Sequence, residues 1–191
     1  FAVSLRPLGG CGGDFDSRIS RAVRDVSIKT GLSPVIVPMQ GGEDRALCER
    51  ICALSVGSAY TAPFSDADSI AALFAGAAFT VGMRLHSIIY SACVGTPVLA
   101  VSYDPKIDAA CAYLGLPAPL SAFTVTSEEM LASLPELSES VPRERIAYLR
   151  GLCEEDCRRI IGAVREERIS DKEKARRHGR VGGYDDIYGY I

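Results

Sequence analysis

Short apolar runs alternate with segments of helical period from residue 1 to about residue 135, and this alternation constrains the fold more than any other feature of the chain. Phe1–Leu5, Val35–Val37, Phe79–Val81 and Pro97–Val101 read as strands, with weaker candidates at Ala59-Tyr60 and Ala122–Val125. The strong runs lack polar alternation, as strands do when both sheet faces are covered. Between them lie helical patterns. Phe15, Ile19, Val23 and Val26 step by four, four and three, from a cap at Asp14 or Asp16 to a stop at Gly31. Asp44 opens a helix carrying Leu47, Ile51 and Leu54, and Ser65-Asp66 precede one through Ile70, Leu73 and Phe74. Ser87–Cys93 reads as a buried helix ended by Gly95. Lys106 opens another through Ile107, Cys111 and Leu114, and Thr126 or Ser127 caps one through Met130 and Leu134. Alternating strands and helices imply parallel strands joined by right-handed crossovers. Residues 1–140 are therefore expected to form a three-layer, Rossmann-like α/β domain with a parallel sheet.

From Pro142 the pattern changes. Ile146, Leu149, Cys153, Cys157, Ile160 and Val164 form one apolar stripe at helical spacing. The expectation is a long amphipathic helix over 141–168, packed on the domain, and a charged, Gly/Tyr-rich tail over 169–191, free or weakly docked. Phe1 lies inside an apolar run, so a further segment is expected upstream of it.

Composition narrows function by exclusion. The formal net charge is −3, so the chain lacks the whole-protein positive field that suits nucleic acid. No apolar run reaches the roughly 18 residues of a membrane span. The seven cysteines are odd in number and show no framework spacing, which suits a reducing compartment. Cys48 with Cys52, and Cys153 with Cys157, sit four apart. They read either as half of a metal site or as small apolar residues on one helix face. His86 and His178 are the only histidines to join them, and no metal or cofactor is expected.

In open α/β sheets, ligands bind beyond the carboxyl ends of the strands, where strand order reverses. With the common order 3-2-1-4-5-6, that point lies between the first and fourth strands. Arg6 follows the first strand, Arg84 and His86 follow the fourth, and Lys106 follows the fifth after a short turn. The cations leaving these strand ends converge on one crevice. A small ligand with at least two anionic groups fits it, because the Arg fork matches phosphate or carboxylate in bidentate fashion. A helix starting near Ser87 adds backbone N–H groups and a favourable dipole. His86 is placed to exchange a proton near neutral pH. The plainer alternatives stay open: a hydrogen-bonded structural His86, and Arg6, Arg84 and Lys106 as ordinary surface charges. The glycine-rich loop Gly9–Gly13 is neither a Walker loop nor a well-placed dinucleotide fingerprint. It reads as a flexible loop or a lid.

The run Gly82-Met83-Arg84-Leu85-His86, followed by the small-residue helix, Gly95-Thr96-Pro97, a strand and Tyr103-Asp104-Pro105-Lys106, resembles the polysaccharide pyruvyl transferase family. It is most similar to the bacterial cell-wall branch that modifies polymers anchoring surface-layer proteins. Ser4-Leu5-Arg6-Pro7 resembles the start of that family's second domain. The resemblance implies the C-terminal half of a GT-B-like fold, with an absent N-terminal domain supplying acceptor contacts. It implies transfer of enolpyruvyl from phosphoenolpyruvate to two sugar hydroxyls as a cyclic ketal. His86 is then the general acid, or assists phosphate departure, while Arg6, Arg84, Ser87 and Lys106 hold phosphoenolpyruvate. The implied partners are phosphoenolpyruvate and a lipid-linked or polymeric sugar acceptor. No nucleic acid and no stable membrane insertion are implied, and the location is cytoplasmic or peripheral at the inner face of the membrane. The isolated chain is expected to be inactive. Rival readings are a nucleotide-sugar glycosyltransferase of the same fold, with Asp104 toward a ribose, and a non-enzymatic binding module built on the long helix and tail.

Overall fold

The computed structural model describes residues 1–9, 12–54, 60–61, 66–137 and 142–177. Six parallel strands are interleaved with helices in the order β1 (Ala2–Ser4), α1 (Gly12–Thr30), β2 (Val35–Ile36), α2 (Gly41–Leu54), β3 (Tyr60–Thr61), α3 (Ala67–Ala75), β4 (Thr80–Gly82), α4 (Leu85–Val94), β5 (Val98–Ser102), α5 (Pro105–Leu114), β6 (Leu120–Ser121), α6 (Ser127–Leu137) and α7 (Arg143–Arg177). The sheet order is β3-β2-β1-β4-β5-β6. The expected three-layer α/β fold and its strand order are both observed.

Side chains alternate across the sheet and divide the core into its two faces. Val3, Leu5, Ile36, Val81, Met83, Leu99 and Val101 pack with Phe15, Ile19, Val23 and Val26 of α1, Leu47 and Ile51 of α2, and Met130 of α6. Ala2 and Val37 face the other way, toward Phe74 of α3. Helices α1, α2 and α6 thus share one face, and α3, α4 and α5 the other. Both faces are dry, which explains strands with no polar alternation.

The helix ends follow local chemistry. Asp66 caps α3 by accepting from the Ser69 amide at 2.8 Å. Thr126 and Glu129 exchange backbone bonds in a capping box that starts α6. Gly31, Gly95 and Gly115 take left-handed φ at the ends of α1, α4 and α5.

Several boundaries differ from expectation: α1 already begins at Gly12, within the glycine-rich run, and α7 ends at Arg177, past the expected 168. The strand read at Ala122–Val125 lies earlier, at Leu120–Ser121. Ala122 still donates to Ser102 O at 2.7 Å, but Thr124 and Val125 then turn back onto Ser121 O. Ala122 and Val125 are buried three residues apart while Phe123 is exposed, so their apolar character belongs to a turn. Helix α4 begins at Leu85, which puts His86 on its first turn instead of in a loop before it.

The chain divides into two compact units, Phe1–Ile146 and Ala147–Ile191. The second holds most of α7, which runs through the charged stretch to Arg177. Pairs such as Arg158–Glu154 and Arg159–Glu155 line it at i,i+4 spacing. The rest of the expected tail, residues 178–191, lies outside the described residues, as do residues 10 and 11 of the glycine-rich loop. Among the described residues no helix is long and apolar enough to cross a membrane.

Candidate functional site

Strand β1 leads to α1 on one face of the sheet and β4 leads to α4 on the other, so a crevice opens between the carboxyl ends of β1 and β4. Ser4 is in register with Gly82, and the Met83 amide donates to Ser4 O at 2.8 Å. Gly82 has a steric reason to be glycine. A Cβ there would lie 2.9 Å from Ile88 Cγ1 and 3.3 Å from Ser87 Oγ, so its absence lets the first turn of α4 sit against the strand end. We expect Gly82→Ala to cost about 1–3 kcal/mol by overpacking, read as a lower denaturation midpoint with an unchanged slope.

The first turn of α4 presents His86 outward, exposed at the crevice rim. Arg84 is the N-cap and has extended backbone. Ser87 is fully buried, and its hydroxyl donates to Arg84 O at 2.6 Å. Ser4 is also fully buried, and its hydroxyl has no hydrogen-bond partner among the described residues. A buried hydroxyl without a partner is unusual, and this one stands at the carboxyl end of β1, where the strand order reverses.

The four expected cations fall into two groups and a rim residue. Arg6 donates from Nη1 to the Tyr103 hydroxyl at 3.0 Å, with its guanidinium carbon 4.6 Å from the ring centre. Lys106 Nζ lies 5.4 Å from the same ring centre. Tyr103 therefore brings together cations from β1 and β5. Burial alone would raise its pKa, but hydrogen bonds and charge from Arg6 and Lys106 outweigh that and lower it. The hydrogen bond to Tyr103 is likewise the chief cause that raises both Arg6 and Lys106 above their usual values. For Arg6, the charges of Glu43 and Asp44 add to it. Both cations stay charged across any physiological pH. Asp104 is held below the ordinary carboxylate range, first by the Lys106 backbone N–H it accepts at 3.0 Å and also by the Lys106 charge.

Arg84 is placed differently. Its Nε donates to Asp44 Oδ2 at 3.1 Å, its Nη2 to Asp44 Oδ1, and its Nη1 to Gln40 Oε1 at 2.8 Å. The Asp44 side chain is fully buried and that of Arg84 is 13% exposed. Asp44 Oδ2 also accepts the amides of Met39 and Gln40, at 3.1 and 2.8 Å. One carboxylate thus ties the start of α2 to the turn before α4. The fork expected to grip a ligand is closed on Asp44, and Glu43 Oε2 lies 3.6 Å from Arg84 Nη2, so the Arg84 charge is balanced within the protein.

Sequence reasoning missed two residues. Asp44 was read only as a helix start, because an acid in a first turn is ordinary and its partner lies 40 residues away. Tyr103 enters the sequence reading as part of a turn and of the family signature, with no role of its own in the site. An aromatic at the carboxyl end of a strand, between positions known to bear cations, was the available signal.

The family model described as polysaccharide pyruvyl transferase matches residues 6–105, just over half of the chain. The chain belongs to the polysaccharide pyruvyl transferase family. The matched span contains Arg6, Asp44, Arg84, His86 and Tyr103 and stops one residue before Lys106. The chain is also 31% identical over 106 residues to the amylovoran biosynthesis protein AmsJ of Erwinia amylovora, a match covering 56% of this chain and 23% of that protein. This member of the pyruvyl transferase family thus spans about a quarter of the length of that relative.

Proposed function

We propose that the chain is the donor-binding half of a transferase that moves enolpyruvyl from phosphoenolpyruvate onto sugar hydroxyls of a polysaccharide precursor. The observation that carries this reading is the placing of Arg6, Tyr103 and Lys106 beside the first turn of α4 at the strand-order reversal. Phosphoenolpyruvate has a phosphate and a carboxylate, and a small dianion of that kind suits two committed cations and a helix N-terminus. Arg84, paired with Asp44, holds the turn that bears His86, and Ser87 secures the same turn from within.

In the proposed reaction, His86 gives a proton to the methylene carbon, which becomes a methyl group. The neighbouring carbon becomes oxocarbenium-like and one sugar hydroxyl adds to it. A second hydroxyl adds as the bond to phosphate breaks. Two carbon–oxygen bonds form and one breaks. Of the two hydroxyl protons, one balances the proton now on carbon and the other leaves with phosphate.

The finer assignment is to the bacterial cell-wall branch, acting at the cytoplasmic side of the membrane. An N-terminal domain facing this one across a GT-B-like cleft would contribute acceptor contacts. A nucleotide-sugar donor is less well served, since the Asp104 carboxylate that would hold a ribose caps α5 and pairs with Lys106 at 3.4 Å. Calorimetric titration tests the choice. Phosphoenolpyruvate is expected to bind and UDP-glucose is not, and the reverse result refutes the proposal.

A further inference from the structure

Beside the cation cluster, with Tyr103 as a shared wall, a shallow groove of about 290 Å³ runs along the carboxyl ends of β5 and β6. Its walls include Tyr103, Asp104, Asp108, Pro119, Ser121 and Phe123. We propose that this groove binds a hexopyranose ring of the acceptor. The proposal deepens the pyruvyl-transfer reading and rests on it only for the word acceptor.

Phe123 is the first reason. The residue is 56% exposed, and what sets it apart from the chain's other exposed apolar side chains is that it forms a wall of a groove. The turn that bears it is tied down. Ala122 donates to Ser102 O at 2.7 Å, Val125 donates to Ser121 O at 2.8 Å, and the Phe123 amide reaches Ser121 Oγ at 3.3 Å. Arg18 of α1 holds the carbonyls of Val125 and Ala122 from the other side, at 3.1 and 3.4 Å. The ring is therefore presented to solvent by a braced turn, as a preorganised contact surface.

The polar wall is the second reason. Ser102 donates to Asp108 Oδ2 at 2.6 Å and so orients that carboxylate. An ionised carboxylate has about four acceptor sites, so one such bond leaves capacity for other donors. The groove walls thus offer hydrogen-bond acceptors and hydroxyls, and they carry no Lys or Arg. An anionic ligand meets two carboxylates there and is disfavoured. A purely apolar ligand strips water from them without replacing the hydrogen bonds. A neutral ring with an apolar C–H face and a rim of hydroxyl donors satisfies both walls, with its C–H face on Phe123 and its hydroxyls on Asp108 and Ser121.

Continuity with the donor cluster is the third reason. Tyr103 takes the Arg6 hydrogen bond and is also a wall of the groove. A sugar seated against Phe123 therefore shares the Tyr103 wall with the two cations expected to hold the donor.

Amide-resolved NMR titration of the 191-residue chain tests this, with methyl β-D-glucopyranoside and methyl β-D-galactopyranoside as probes and phosphoenolpyruvate and UDP as comparisons. We expect at least one glycoside to shift amides of residues 102–104, 108 and 120–123 saturably. Phe123→Ala should weaken its Kd about tenfold, the scale of one lost ring contact, while Phe123→Trp keeps binding. Asp108→Asn should weaken it severalfold. Phe123 is exposed, so its replacement leaves the core intact. Absence of glycoside shifts at the groove, or shifts unchanged in Phe123→Ala, overturns the proposal. So does a stronger response of the same amides to UDP. Phosphoenolpyruvate is read separately at Arg6, His86 and Lys106. If it fails to bind while glycosides do, the donor reading falls and the sugar groove stands.

Discussion

Replacing His86 with alanine in the whole enzyme is expected to lower kcat by about 10²–10⁴-fold, the range for loss of a positioned general acid. Apparent affinity for phosphoenolpyruvate should change only a few-fold. The reason lies in where the residue sits. His86 is exposed on the first turn of α4, outside the core, so its removal leaves the fold and the cations of the crevice in place. A histidine kept for structure would show the opposite pattern, with altered stability and near-normal turnover. The discriminating measurement is a kcat and KM determination beside a denaturation curve for the same variant. Near-normal kcat removes the acid role.

The second large effect concerns stability. Asp44→Ala is expected to cost about 3–5 kcal/mol, the scale for breaking a buried ion pair by removing one partner. Asp44 is fully buried and accepts four hydrogen bonds, from the Met39 and Gln40 amides and from two nitrogens of Arg84. Without it, two amides and a guanidinium lose their acceptor in a largely dry place, and each orphaned donor adds a desolvation cost. Arg84→Ala should cost a similar amount, because Asp44 is then buried without its counter-ion. The double variant should lose much less than the sum. Equilibrium denaturation of the four proteins measures this coupling. If the single effects simply add, Asp44 and Arg84 do not act as a pair, and Arg84 becomes available as the direct ligand clamp that its sequence position suggested.

Much of this arrangement was legible beforehand, for identifiable reasons. The strands announced themselves because both sheet faces are buried, leaving runs such as Val98–Ser102 with hardly a polar position. Strand order followed from chain topology, which has few solutions for alternating β and α segments. The crevice followed in turn, since only a few residues can leave the carboxyl edge near the reversal. Pairings across the chain were not legible. Nothing near Arg84 in sequence says that its fork closes on a residue 40 positions earlier. Nothing near Tyr103 says that Arg6 reaches it across 97 positions. Such contacts depend on which strands are neighbours and how long each side chain is. The misplaced sixth strand has a different cause: Ala122 and Val125 are buried by a turn, and burial alone does not distinguish a turn from an edge strand.

In the proposed site, phosphoenolpyruvate sits at the strand-order reversal, held by Arg6 and Lys106, with Tyr103 orienting both. Calorimetric titration of phosphoenolpyruvate into the wild-type chain and into Arg6→Ala and Lys106→Ala tests it most directly. Saturable binding by the wild type, weakened about tenfold or more in each variant, as loss of one charge-assisted contact implies, is the predicted result. Equal binding by all three proteins, or no binding by the wild type at millimolar ligand, would contradict it.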